Sequence, residues 1–325
     1  MNSDAPVGSN APRDGDAPLH SDVPMHSPLI EGRLKLVGVE LDYAVRGRDD
    51  GTPLLLIMGL GMQRVAWPDS LLDALVARGA RCITFDNRDV GNSTRYDAYG
   101  APALPASIFA RLFRRRLRLP YSLADIADDG AALLHHLGIE RAHVVGISMG
   151  GMIAQHFAHR HPQQTSSLTL MCTSSGRMGL PPPRALVMQQ LLKRPRRAVS
   201  SEAAVTYMVN LLRIIGSPAY PTDAADLGNR SRAALKRASS GNGMTRQLAA
   251  ILNDGDRSEL LRHLQAPTLI LHGSADPMVP IAHGLDLARK IRGARMERIE
   301  GWGHDLPDAL ANTLADLVVG HVRAV

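Results

Sequence analysis

The chain predicts an α/β fold: a mostly parallel, doubly wound sheet with an antiparallel hairpin at its N-terminal end and a helical insertion late in the sequence. Three observations carry this. The stretch from His143 to Phe157, HVVGISMGGMIAQHF, is an apolar run interrupted by Gly146, Ser148 and Gly150 that passes without a proline into a helical pattern. Before and after it, strand-like and helix-like segments alternate with short links, which specifies parallel strands covered on both faces. The alternation then fails from Arg177 to about Arg257, where Pro181, Pro182, Pro183, Pro195, Pro218 and Pro221 divide short helical patterns.

Taken in order, residues 1–29 are rich in Pro, Ser, Asp, Asn and Gly, a composition that cannot bury enough apolar surface to offset its ordering entropy, so a disordered tail is expected there. From Arg33 to Val45, RLKLVGVELDYAV alternates apolar and polar residues around Gly38, the pattern of a hairpin. TPLLLIMGLGMQ (Thr52 to Gln63) reads as a buried parallel strand entering a glycine-containing loop. Ser70 to Arg78 reads as a helix closed by Gly79, and Cys82 to Phe85 as a strand followed by a polar loop with Asp86, Arg88, Gly91 and Ser93. Tyr121 to Leu137 has helical apolar spacing, with Ser122 as its N-cap and Gly138 as its stop. After the Ser148 segment come a strand from Ser167 to Thr173, the helical stretch, a strand in PTLILHGSADPMVP, a helix over Ala282 to Ile291, the strand ARMERIEG and a last helix from Leu306 to Val322. The domain reading is therefore a core of residues 30–176 and 258–325, with a helical cap inserted at 177–257.

Composition narrows the function classes. A net charge of +6 raises nucleic acid or a membrane surface as partners. Much of the excess, however, lies in two short clusters, Arg111 to Arg118 and Lys193 to Arg197, and aromatics are 4% of the chain, which leaves few platforms for base stacking. These clusters read as solvated faces, so neither nucleic acid nor membrane is an expected partner. No run approaches the roughly 20 apolar residues of a membrane span. The two cysteines, Cys82 and Cys172, sit singly in apolar runs and read as reduced, buried thiols, which with the lack of an apolar leader suggests the cytoplasm.

The chemistry follows from Ser148. Strand, sharp turn and helix around GxSxG form an elbow that lifts the serine oxygen above the sheet. A serine hydroxyl becomes a nucleophile only when an imidazole takes its proton and a carboxylate holds the imidazole. In the required order, Asp276 lies in HGSADPMVP just past one strand, and His304 in EGWGHDLP just past the next. Parallel strands bring their C-terminal ends to one edge, so these loops converge. The rival acid position, the CTSSGR loop, holds no carboxylate. Two backbone N–H groups, those of Met149 and Leu60, are the expected oxyanion donors, each worth roughly 2.7–4 kcal/mol in the transition state. Trp67, Trp302 and Met58 fall near these loops and are candidate walls of an apolar substrate pocket. His156, His159 and His161 lack a partner at ligand spacing and read as helix C-terminal cations, His272 as a buried structural histidine, and no metal site is expected. Gly59 and Gly61 are not followed by the Lys-Ser/Thr of a phosphate loop.

Together GISMGG, DNRDVGNS, MGLG, HGSADPMVP and GWGHDLP resemble the α/β-hydrolase superfamily, and within it a bacterial branch similar to methylesterases that act on anthracycline polyketides. The resemblance runs from about Leu34 to the C-terminus and is loose over the cap. It departs at Met58-Gly59, where many members carry His-Gly. The resemblance and the residues imply a cofactor-free serine hydrolase that cleaves a carboxylic ester of a small-to-medium, largely apolar molecule through an acyl-enzyme. The same triad also serves perhydrolysis or haloperoxidation, carbon–carbon bond hydrolysis, and a slow or non-catalytic ligand receptor. A homodimer is compatible with this reading.

Overall fold

A computed structural model describes residues 29–113, 115–192, 201–238 and 241–325. Of the N-terminal segment 1–29 only Leu29 is among them, and the Lys193 to Arg197 cluster lies outside. Eight strands form one sheet: β1 (Leu29–Leu36), β2 (Val39–Arg46), β3 (Thr52–Ile57), β4 (Ala80–Phe85), β5 (Ala142–Ile147), β6 (Thr165–Met171), β7 (Thr268–Gly273) and β8 (Arg295–Ile299), in the order β1-β2-β4-β3-β5-β6-β7-β8. β1 and β2 form the hairpin, β2 pairs antiparallel with β4, and every later pairing is parallel.

The parallel strands are apolar on both faces because both are covered. Leu55, Ile57, Val144, Leu168, Leu170 and Ile270 point into one core, under α3 (Leu123–His136), α4 (Met149–Arg160) and α10 (Ala282–Lys290). Their neighbours Leu54, Leu56, Val145, Leu269 and Leu271 point into the other, under α1 (Asp69–Ala77) and α11 (Ala311–Arg323). Ser122 caps α3 with a reciprocal pair: its Oγ accepts from Asp125 N at 3.2 Å, and Asp125 Oδ2 accepts from Ser122 N at 2.7 Å. The chain leaves β3 to one side through α1 and β4, then returns to its other side through α3 and β5. That reversal opens a crevice at the C-terminal ends of β3 and β5.

Two helices were not anticipated from sequence, Leu104–Leu112 and the short Ser258–Arg262. α2 (Leu104–Leu112) occupies a stretch where Pro102, Pro105 and the arginine cluster obscure the helical spacing. Between β6 and β7 the chain forms α5 (Ala185–Leu192), α6 (Ser201–Ile215), α7 (Ala224–Arg237), α8 (Gly243–Asp254) and α9 (Ser258–Arg262). Val187, Leu211 and Ile215 make a small cluster of their own, whereas Ala250 of α8 belongs to the main core. No described helix is long and apolar enough to cross a membrane.

Buried charges tie these helices to the sheet. Arg246 of α8 is 2% exposed and makes two hydrogen bonds to the fully buried Asp89 carboxylate, at 2.8 and 2.7 Å, and one to Asp97 at 2.9 Å. The Tyr121 hydroxyl donates to the same carboxylate at 2.6 Å, and burial, then the Asp89 charge, push this phenol well above its ordinary range. Arg237 of α7 reaches Asp86 at 2.6 Å and also bonds Asp42 and Gln63. Removing one member of such a pair strands a buried charge, at a cost of about 3–5 kcal/mol. Arg246→Met is accordingly expected to lower the unfolding free energy by about that amount in urea titrations. A change below about 1 kcal/mol would show that Asp89 does not depend on this partner.

Candidate active site

β5 delivers the Ser148 backbone to the crevice and α4 starts one residue later. Ser148 sits at φ 55° and ψ −120°, a state that a side-chain-bearing residue keeps only when its surroundings enforce it. Its N–H donates to Met171 O at 2.9 Å and its carbonyl accepts from Thr173 Oγ1 at 2.6 Å. The motif glycines are required by close approach: a Cβ at Gly150 would lie 2.0 Å from Ile57 O, and one at Gly146 2.3 Å from Gly150 O. Only glycine lets the helix start this near to β3 and β5.

The acid and base arrive from the ends of β7 and β8. Asp276 is 2% exposed; its Oδ1 accepts from the N–H groups of Met278 and Val279, at 2.8 and 2.7 Å. Its Oδ2 is 2.7 Å from His304 Nδ1, and His304 Nε2 is 2.9 Å from Ser148 Oγ. A proton on Nδ1, shared with the carboxylate, leaves Nε2 as acceptor for the serine hydroxyl. The His304 loop is held partly by the segment after α6. His304 N donates to Ile215 O at 2.7 Å, Gly303 N to Ser217 Oγ at 2.9 Å, and Ser217 Oγ to Asp305 Oδ1 at 2.5 Å. Burial raises the Asp305 carboxyl above the usual range.

The loop after β3 passes directly over the serine, since a Cβ at Gly59 would lie 3.3 Å from Ser148 Cβ. Neither the Leu60 nor the Met149 N–H has a hydrogen-bond partner among the described residues, so both are available to a ligand. Asn87 Nδ2 donates to Met58 O at 2.9 Å and anchors the start of the loop.

Alpha/beta hydrolase fold is the description of the family whose model matches residues 52–308. The chain belongs to the α/β-hydrolase fold family. Among relatives of this α/β-hydrolase, rhodomycin D methylesterase DnrP of Streptomyces peucetius is 31% identical over 84% of this chain and 91% of the relative. Poly(3-hydroxyalkanoate) depolymerase of Ectopseudomonas oleovorans is 28% identical over 90% of this chain and 92% of the relative. The crystal structure of a hydrolase from Pseudomonas aeruginosa PA01 superposes with a TM-score of 0.67 at 25% identity, over 90% of this chain and 98% of that one.

Other sequence-selected residues fall elsewhere in the hydrolase. Trp67, Trp302 and Met58 are 2%, 0% and 4% exposed and belong to the core cluster that also holds α1 and α11 side chains. Trp302 also fastens the base loop, its Nε1 donating to Asp305 O at 2.7 Å. His156 pairs with Asp254 and His161 with Asp128, each at 2.8 Å, so carboxylates on neighbouring elements hold both. His272 is fully buried with Nε2 2.7 Å from Val279 O, and burial lowers its pKa. Cys172, Asp276 and His304 bring ligand atoms within 4.8 Å of one another. The acid and base there are already bonded to each other, and burial raises the Cys172 thiol well above its ordinary range.

Sequence reasoning missed Gln247. This fully buried side chain of α8 accepts from Gly61 N at 2.7 Å and donates to Arg88 O at 2.8 Å, joining the loop over Ser148 to the loop after β4. Nothing local marks it, because its partners are remote in sequence. Gln247→Leu is expected to lower kcat on the order of tenfold, with a smaller change in KM, in steady-state ester kinetics, because the Leu60 N–H loses its fixed aim. An unchanged kcat alongside a lowered Tm would reduce Gln247 to packing.

Proposed function

We propose that the chain is a serine hydrolase that cleaves a carboxylic ester of a small-to-medium, largely apolar molecule through an acyl-enzyme. The observation that carries this is the continuous relay Asp276 Oδ2, His304 Nδ1, His304 Nε2, Ser148 Oγ, with links of 2.7 and 2.9 Å, beside two unengaged N–H groups. Ser148 Oγ attacks the ester carbonyl carbon as His304 Nε2 takes its proton, and Asp276 holds the imidazolium. The oxyanion accepts from Leu60 and Met149. Collapse breaks the bond to the alkoxy oxygen, which leaves as the alcohol with the proton from His304. Water, deprotonated by His304, then attacks the acyl carbon, and Ser148 leaves with the returned proton, releasing the acid. The likeness to a methylesterase supports a methyl ester as the scissile group.

In the same reading, residues 177–257 form a cap over a core of residues 30–176 and 258–325, and the protein acts in the cytoplasm. Its hydrogen bonds to His304 and Gly61 support a cap that shares in building the site. The substrate is a small molecule, and the chemistry calls for neither metal nor organic cofactor, with no nucleic-acid partner. A panel of p-nitrophenyl and methyl esters, with a lactone, an amide, a β-diketone and hydrogen peroxide, tests the reaction class. Esters are expected to turn over fastest, and Ser148→Ala to lose at least about 10³-fold in kcat. A Ser148→Ala protein that hydrolyses esters at the wild-type rate would sink the assignment.

A further inference from the structure

α2 is assembled inside out. Its small residues Ser107 and Ala110 are 1% and 4% exposed, while Ile108, Phe109 and Leu112, with Phe113 just after it, are each 57–59% exposed. Positions 108, 109, 112 and 113 share one helical face, so the molecule turns an apolar stripe to the outside. The Phe109 and Phe113 rings lie against each other with centroids 4.3 Å apart. This orientation is fixed. Arg111 donates to Gly176 O at 2.6 Å, and Leu117 exchanges backbone hydrogen bonds with the Asn253 side chain at 2.7 and 3.2 Å, tying down the last turn of α2 and the run that follows it.

Beside the stripe stand exposed Arg115, Arg116 and Arg118. Between Asp97 and Asp125 the sequence holds five arginines and no acidic residue. Reading the cluster from sequence as a solvated face missed the apolar half of this surface. A second copy docked face to face would set arginine against arginine, because a two-fold contact pairs a patch with itself. A nucleic acid would satisfy the arginines and leave Ile108 and Leu112 without an apolar partner. An acidic lipid surface accommodates both: the bulky side chains enter the acyl boundary and the guanidinium groups meet headgroup phosphates.

We propose that α2 and the arginine run after it form a docking surface for an anionic lipid bilayer. The docked helix lies one layer from the site, since α2 packs on α8, the helix that carries Gln247. The test is flotation of the full chain with phosphatidylcholine vesicles and with phosphatidylcholine vesicles containing phosphatidylglycerol. Binding is expected only to the anionic vesicles and to weaken with added salt. Two double variants, Phe109→Ser with Phe113→Ser and Arg115→Gln with Arg116→Gln, should each weaken it on the order of tenfold or more, with turnover of a soluble short ester unchanged. The arginine pair is exposed, so that variant keeps the test decisive if the phenylalanine pair impairs folding. Absent binding, equal binding to both vesicle types, or binding that survives the arginine substitutions would overturn the proposal. So would tighter binding to duplex DNA, or a dimer in sedimentation that dissolves in the phenylalanine variant without any vesicle binding.

Discussion

The backbone at Ser148 is the constraint on which the site depends. An L-residue at φ 55° and ψ −120° carries strain on the order of 1–3 kcal/mol, which must be overcome by the surroundings. Here the restraint comes from hydrogen bonds to Met171 and Thr173 on one side and from the approach of α4 to β3 on the other, which glycine at 146 and 150 alone permits. The result is a serine oxygen held clear of the sheet with the Met149 N–H beside it. Because β3, β5, β7 and β8 are parallel, the same edge collects the Gly59 loop, Asp276 and His304. Position, rather than any one residue's reactivity, creates the site.

A second set of forces keeps those loops in register. Arg64, Arg237 and Arg246 meet Asp42, Asp86 and Asp89 in buried or nearly buried pairs, linking the hairpin, the loop after β4, α7 and α8. Desolvating these charges is costly, and hydrophobic replacements could match them in stability. Their geometry, however, specifies one arrangement of the helices over the sheet. Gln247 and Ile215 then extend that arrangement to Gly61 and His304. The helices between β6 and β7 thus support both ends of the proposed chemistry.

What was legible in the sequence was what repeats locally. Alternating strands and helices specified the parallel sheet, and residues just past strand ends, Ser148, Asp276 and His304, could be expected to meet because parallel strands share an edge. Gln247 left no local trace, since its partners Gly61 and Arg88 are brought to it by packing. Trp67 and Trp302 show a further limit of local patterns: proximity in sequence to a site loop does not say on which side of the loop an indole packs, and both are buried in the cluster that holds α1 and α11 side chains. The outward stripe of α2 was hidden twice over: Pro102, Pro105 and the arginines obscure the helical spacing, and only the fold decides which face of a helix is covered.

The chemistry proposed here makes Ser148 the nucleophile, activated by His304. Its most direct measurement is reaction of the intact protein with a fluorophosphonate, followed by intact-mass analysis and peptide mapping. A single adduct on Ser148 is expected, formed in parallel with loss of ester turnover and strongly slowed in His304→Ala. An adduct on another residue, or full ester turnover by a protein whose Ser148 is completely modified, would contradict it.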